Sequence, residues 1–154
     1  MTALLLSLHV LAAILAVGPV AVTASIFPAA ARRALAAPGD PGPAAGVRLL
    51  HRVTRVYAYL GVAVPVLGYA TGASLGVLSD AWLVTSMVLT AAAAAVLILL
   101  VLPGQRRVLD ALEAPGTRPA TRPLAMHAGI FNLLWAVVVV LMVYRPGSTT
   151  GAGL

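Results

Sequence analysis

Cysteine and lysine are both missing from this 154-residue chain. The first absence excludes disulfides, thiolate metal sites and dithiol redox relays. The second leaves arginine as the only strong cation, ten residues against four Asp and Glu. Charge of either sign is scarce, at 9% of residues against roughly 25% in an ordinary soluble domain. By contrast, 61% of residues are hydrophobic and the mean hydropathy is +1.02. Water is therefore not the main solvent of this protein. The net charge of +6 does not mark a nucleic-acid binder, because the arginines stand in short runs between long apolar stretches instead of forming a basic domain. The composition, rich in Ala, Gly and Pro, is of the kind that GC-rich bacterial genomes encode.

Four apolar runs are long enough to cross a hydrocarbon core of about 30 Å, which takes roughly 20 helical residues. They extend from about Ala3 to Phe27, Val53 to Gly72, Ala81 to Leu102 and Leu124 to Tyr144, with charges only at their ends. Lipid offers no partner for unpaired backbone groups, so each run must be a helix or part of a closed barrel. The unbroken Ala91 to Val101 stretch lacks the alternation of a barrel strand. The predicted fold is all-α, a single bundle of four transmembrane helices over residues 1–154. The first run is too long for the apolar part of a signal peptide, and its positive flank, Arg32-Arg33, is at the wrong end. It is read as a retained helix.

Nine of the ten arginines fall between the first and second runs, at the entry to the second, or between the third and fourth: Arg32, Arg33, Arg48, Arg52, Arg55, Arg106, Arg107, Arg118 and Arg122. The connection between the second and third runs has none and carries Asp80. The positive-inside rule then predicts cytoplasmic Arg-rich loops and two external termini in a bacterial cell membrane, with Arg32, Arg33, Arg106 and Arg107 setting the topology. Both loops contain an Ala-Pro-Gly step, at Ala37-Pro38-Gly39 and Ala114-Pro115-Gly116, and are expected to be irregular and mobile.

The two halves share an order of features. An apolar helix ends in Phe27-Pro28 or Leu102-Pro103, followed by an Arg pair, Ala-Pro-Gly, a histidine (His51 or His127) and a second apolar helix. Two tandem hairpins with the same direction would be related by an axis along the membrane normal.

Among residues able to carry chemistry, all four acids are placed in loops or at span ends, which argues against carboxylate-coupled transport. His9 lies inside the first span. It is able to ligate haem or copper, to accept a proton, or to hydrogen-bond a neighbouring helix, with Tyr69, Thr71, Thr85 and Tyr144 as reachable partners. His51 and His127 begin the second and fourth spans. Two imidazoles on facing helices can hold haem iron or a metal, while His51, set among Arg48, Arg52 and Arg55, is expected at the interface facing lipid. Gly61, Pro65, Gly68, Gly72 and Gly76 recur at steps of three and four, a small-residue stripe suited to close helix packing within the chain or between subunits. Asn132, near the middle of the fourth span, is expected to pair across helices. Trp82, Tyr69, Tyr144 and Tyr57 are read as an interfacial aromatic belt, with Arg145 reaching to the outer surface.

The segment Leu6-Ser7-Leu8-His9-Val10-Leu11-Ala12-Ala13-Ile14, followed by Val17-Gly18, resembles the first helix of a family of small four-helix bacterial integral membrane proteins of unknown function. It is distantly similar to membrane proteins of the copper-resistance D type. The resemblance implies four-span architecture and, more remotely, copper or haem handling. Relatives often have Trp before that Gly, where this chain has Val17. Taken together, the sequence points to a non-enzymatic membrane protein, needing no cofactor, that contacts the lipid bilayer and packs into a homo-oligomer or larger membrane complex. A haem- or copper-binding protein using His9 or the His51/His127 pair is the alternative, and a small transporter built from two repeats is a third.

Overall fold

The computed structural model describes residues 2–114, 116 and 119–148; Met1, Pro115, Thr117, Arg118 and residues 149–154 lie outside them. The regular elements among the described residues are all helical: α1 Thr2–Ala36, α2 Pro41–Leu60, α3 Ala63–Leu75, α4 Ala81–Val96, a π-helical segment Leu97–Val101, α5 Leu102–Glu113 and α6 Arg122–Tyr144. The α2–α3 and α4–α5 stretches each run on as one rod, which makes four helices able to cross a membrane.

Three of the rods are 33 to 35 residues long, or about 50 Å at 1.5 Å per residue, well beyond a bilayer core of about 30 Å. The excess is at the arginine end. Most of what the Pro/Gly content suggests to be an irregular first loop is therefore helix. Its cause is local: Asp40 caps α2 by accepting from the Gly42 backbone N–H at 2.9 Å, and Pro41 occupies the first turn, where no amide donor is needed. Only Ala37–Asp40 remain as a link, with Gly39 at φ +91°.

Proline also explains where the rods deviate. Pro65 has no N–H for the Gly61 carbonyl, and one turn earlier the backbone tightens, Val62 N–H reaching Tyr59 O at 3.2 Å and Val64 N–H reaching Gly61 O at 3.1 Å. A Cβ at Gly61 would meet the carbonyls of Ala58 and Tyr57 at 3.2 and 3.3 Å. Gly61 thus serves this break and not a contact with another helix, as the stripe implies. Pro103 is preceded by the opposite distortion, a widened π turn closed by Leu102 N–H to Leu97 O, which accommodates a ring that cannot bond to Leu99.

The rods form an antiparallel ring. α1 packs against α2, α3 and α6, α4 against α6, and α5 against α2. On α1 the buried positions include Ala16, Val20, Ala24, Phe27, Ala31 and Ala34. Steps of three and four with alanine at most of them form a narrow seam, and small side chains there let neighbouring backbones come close, the source of dispersion contacts where lipid is as apolar as the protein. Outward-facing residues are large and apolar, including Leu15, Leu99 and Val143 at 64, 68 and 69% exposure. Such a surface is the one that membrane helices turn to lipid. At the arginine end, where the spans give way to their extensions, Phe27, Ala31, Ala34, Val47, Val108 and Leu124 make a second small core holding the helical extensions together.

Gly76 also departs from the stripe reading. It ends α3 in the left-handed region at φ +71°, with its N–H on Ala73 O and the Val77 N–H on Gly72 O, and a Cβ there would meet nothing within 4 Å. It is a helix cap. Gly68 and Gly72 do lie in tight contacts. A Cβ at Gly68 would come 2.9 Å from His9 Cε1, and one at Gly72 would come 2.7 Å from Leu83 Cδ2.

Candidate functional site

The inner half of the bundle contains a connected set of buried polar side chains. On α2, Val47, His51 and Thr54 face inward at steps of four and three, while Arg48, Arg52 and Arg55, one residue further on, are exposed. On α5, Gln105, Val108 and Ala111 are the buried positions. The two faces meet, and His51 Nδ1 lies 3.0 Å from Gln105 Oε1. The amide oxygen only accepts, so the imidazole carries its proton on Nδ1. Gln105 Nε2 in turn donates to Thr54 Oγ1 at 3.4 Å, and Thr54 Oγ1 is 2.8 Å from Thr23 Oγ1 of α1. His51 and Thr23 are 7 and 8% exposed, and Thr54 and Gln105 are fully buried.

The hydroxyls of this ladder are short of protons. Thr23 Oγ1 is 2.8 Å from both Pro19 O and Thr54 Oγ1, and Thr54 Oγ1 is 2.8 Å from Leu50 O. Two hydroxyl protons serve three such links, so one link is always without a bridging proton and the pair can exchange roles by rotation about two C–O bonds. Three helices are joined by the result. The expected interfacial, lipid-facing His51 is corrected: because α2 already begins at Pro41, His51 stands in its third turn, on the face turned to α5. His127, half-buried on α6, takes no part in this ladder. In the order of repeated features, Gln105 falls opposite Ala30 or Ala31 of the first hairpin, so the second histidine has no equivalent amide.

His9 occupies a separate socket at the opposite end. Its Nδ1 donates to Val64 O at 3.0 Å, and its ring lies against Gly68, where the missing side chain makes the room. The partner is a backbone carbonyl, not one of the side chains within reach. Nearby, Trp82 is 5% exposed and donates Nε1–H to Asp80 Oδ2 at 3.0 Å, while the Arg145 guanidinium sits 5.5 Å from the Trp82 ring centroid. Trp82 is thus part of the packed end of the bundle instead of an aromatic belt. Asn132 donates Nδ2–H to Ser25 Oγ on α1 at 2.9 Å, while its buried Oδ1 has no partner among the described residues.

Comparison with protein-family models, with curated proteins and with solved structures finds no match for this chain. Its own residues therefore carry the functional reading.

Among the described residues, no group of three or more His, Asp or Glu gathers to hold a metal ion. His9 and His51 each direct Nδ1 to a partner inside the bundle, on α3 and α5 respectively. The arginines are arranged differently. Arg32, Arg33, Arg48, Arg52, Arg55, Arg106, Arg107 and Arg122 are all exposed at one end, whereas Arg145 alone stands at the other among the described residues. Arg106 forms an ion pair with Asp110 at 3.2 Å, both largely exposed, and such a pair contributes little.

Sequence reasoning missed Gln105, Thr54 and Thr23. Gln105 sits between Gly104 and the Arg pair, past the end of the third apolar run, although Val101, Gln105, Val108 and Ala111 share a helical face. The two threonines are single polar residues within or beside long apolar runs. Only the pairing of helices shows that they face each other.

Proposed function

We propose that the protein is a non-enzymatic accessory component of a bacterial cell membrane, oriented with its arginine end in the cytoplasm and both termini outside. The collar of eight exposed arginines supports this reading. It matches the side on which positive loops are retained and places a dense positive field against anionic headgroups. In this reading, membership of the small four-helix family that the first helix resembles accounts for the architecture. The tight glycine contacts are used inside the chain, at His9 and Leu83. Assembly with other membrane subunits then falls to the helical extensions carrying Arg32 and Arg33, which project beyond the bilayer core.

Because the chain contains no cysteine, single cysteines report topology cleanly. Ser74→Cys is expected to react with an impermeant thiol reagent applied to intact cells, and Ala45→Cys only after the membrane is opened. The reverse pattern would sink the orientation. Gently solubilised wild type is expected as a particle larger than one chain, reduced to a single chain by Arg32→Gln with Arg33→Gln. A wild type that is already a single chain would overturn the accessory role.

A further inference from the structure

Two deviations from regular helix lie side by side in the bundle. Gly61 and Val62, where α2 gives way to α3, and Leu97 and Ile98 of the π segment all line one cavity of about 140 Å³ between the rods. Its origin is in the sequence, since Pro65 and Pro103 force the narrowed and widened turns that keep the two rods from closing on each other. Val62 and Ile98 are 61 and 57% exposed, so the mouth of the cavity opens on the lipid-facing side.

The wall is mostly apolar, and three of its residues carry a polar side-chain atom: Tyr57, Thr90 and Trp135. Trp135 lines the cavity, and its buried Nε1–H finds no acceptor among the described residues. A buried indole normally has a partner for its N–H. The ring makes an edge contact with Phe131, centroids 6.3 Å apart at 66°. Of the two hydroxyl residues in the wall, Thr90 on α4 gives its proton to Ser86 O at 2.8 Å, and Tyr57 on α2 is half-buried.

We propose that this cavity binds a ring-sized apolar molecule carrying one carbonyl oxygen, drawn from the bilayer, with that oxygen accepting from Trp135 Nε1. The volume is close to the roughly 150 Å³ that holds a benzene ring in a dry protein cavity. The apolar body is recognised by the walls and the oxygen by the buried indole donor, the pattern of a small-molecule pocket.

Acetophenone and ethylbenzene test this directly, being nearly the same shape with and without the oxygen. In lipid nanodiscs, acetophenone is expected to raise the thermal midpoint to a plateau, and to bind about fivefold more tightly than ethylbenzene, the ratio that one net hydrogen bond supplies. Trp135→Phe keeps the ring and removes the donor, and should abolish the preference while leaving both compounds bound equally. Ala94→Leu and, independently, Ile98→Trp narrow the cavity and should remove the plateau for both. A shift that rises without saturation, equal affinity of the two compounds for wild type, or a preference that survives Trp135→Phe would each overturn the assignment.

Discussion

Replacing Gln105 with leucine is expected to destabilise the bundle by about 2 kcal/mol, within the range for leaving a buried polar group without its partner. The loss is concentrated at His51. Its Nδ1–H bond to Gln105 is 3.0 Å long, whereas the Gln105 to Thr54 bond is 3.4 Å and contributes less. Polar contacts between membrane helices often measure below 1 kcal/mol, because the separated helices find other partners. The larger figure is expected here because Gln105 and Thr54 are fully buried inside a three-helix junction. His51→Leu alone should cost a similar amount, since it orphans the amide oxygen. The double variant should be more stable than the sum of the two predicts, by 1 kcal/mol or more, because each single change leaves a group that the other removes. Unfolding in mixed micelles measures all three. Strict additivity would mean that His51 and Gln105 do not act as a pair.

How much of this was legible in the sequence depends on what each residue needed. The four rods follow from run length and the shortage of charge, because lipid permits so few alternatives for an apolar chain. The inner ends were not legible in the same way. Pro41-Gly42-Pro43 looks like loop by composition, yet one capping aspartate and a proline in the first turn make it a helix start. That shift moves His51 from the lipid interface into the core, and with it the most connected polar group of the protein. For the glycines, periodicity found a stripe but could not assign duties within it. Gly61 answers to a proline four residues on, Gly76 to a left-handed cap, and only Gly68 and Gly72 to neighbouring side chains. A step pattern records which residues share a face, whereas backbone dihedrals and neighbours decide what they do there. Gly104 shows the converse: it lies in no stripe, yet a Cβ there would come 2.6 Å from Leu124 Cδ2.

The ranking of glycine substitutions follows from what each would strike. By distance alone Gly72→Ala should be the worse change, at 2.7 Å from Leu83 Cδ2 against 2.9 Å from His9 Cε1 for Gly68→Ala. The order is expected to reverse. Leu83 meets the new methyl with the end of a flexible side chain, and a small rotation about its χ angles gives the space. His9 meets it with a planar ring whose Nδ1 is tied to Val64 O at 3.0 Å, on the same face of α3 and one turn away. The ring cannot retreat without breaking that bond at a depth where water does not replace it. Gly68→Ala is therefore expected to cost about 2 to 3 kcal/mol, combining overpacking with a lost hydrogen bond, and Gly72→Ala about 1 kcal/mol. Gly68→Leu should prevent α1 from seating on α3 altogether. The ring is the obstacle in this account, so His9→Ala introduced into Gly68→Ala should recover part of the loss even though His9→Ala by itself destabilises. If the thermal midpoints show Gly72→Ala to be the more damaging change, or if His9→Ala adds its full cost to Gly68→Ala, then His9 is not what holds α1 against α3.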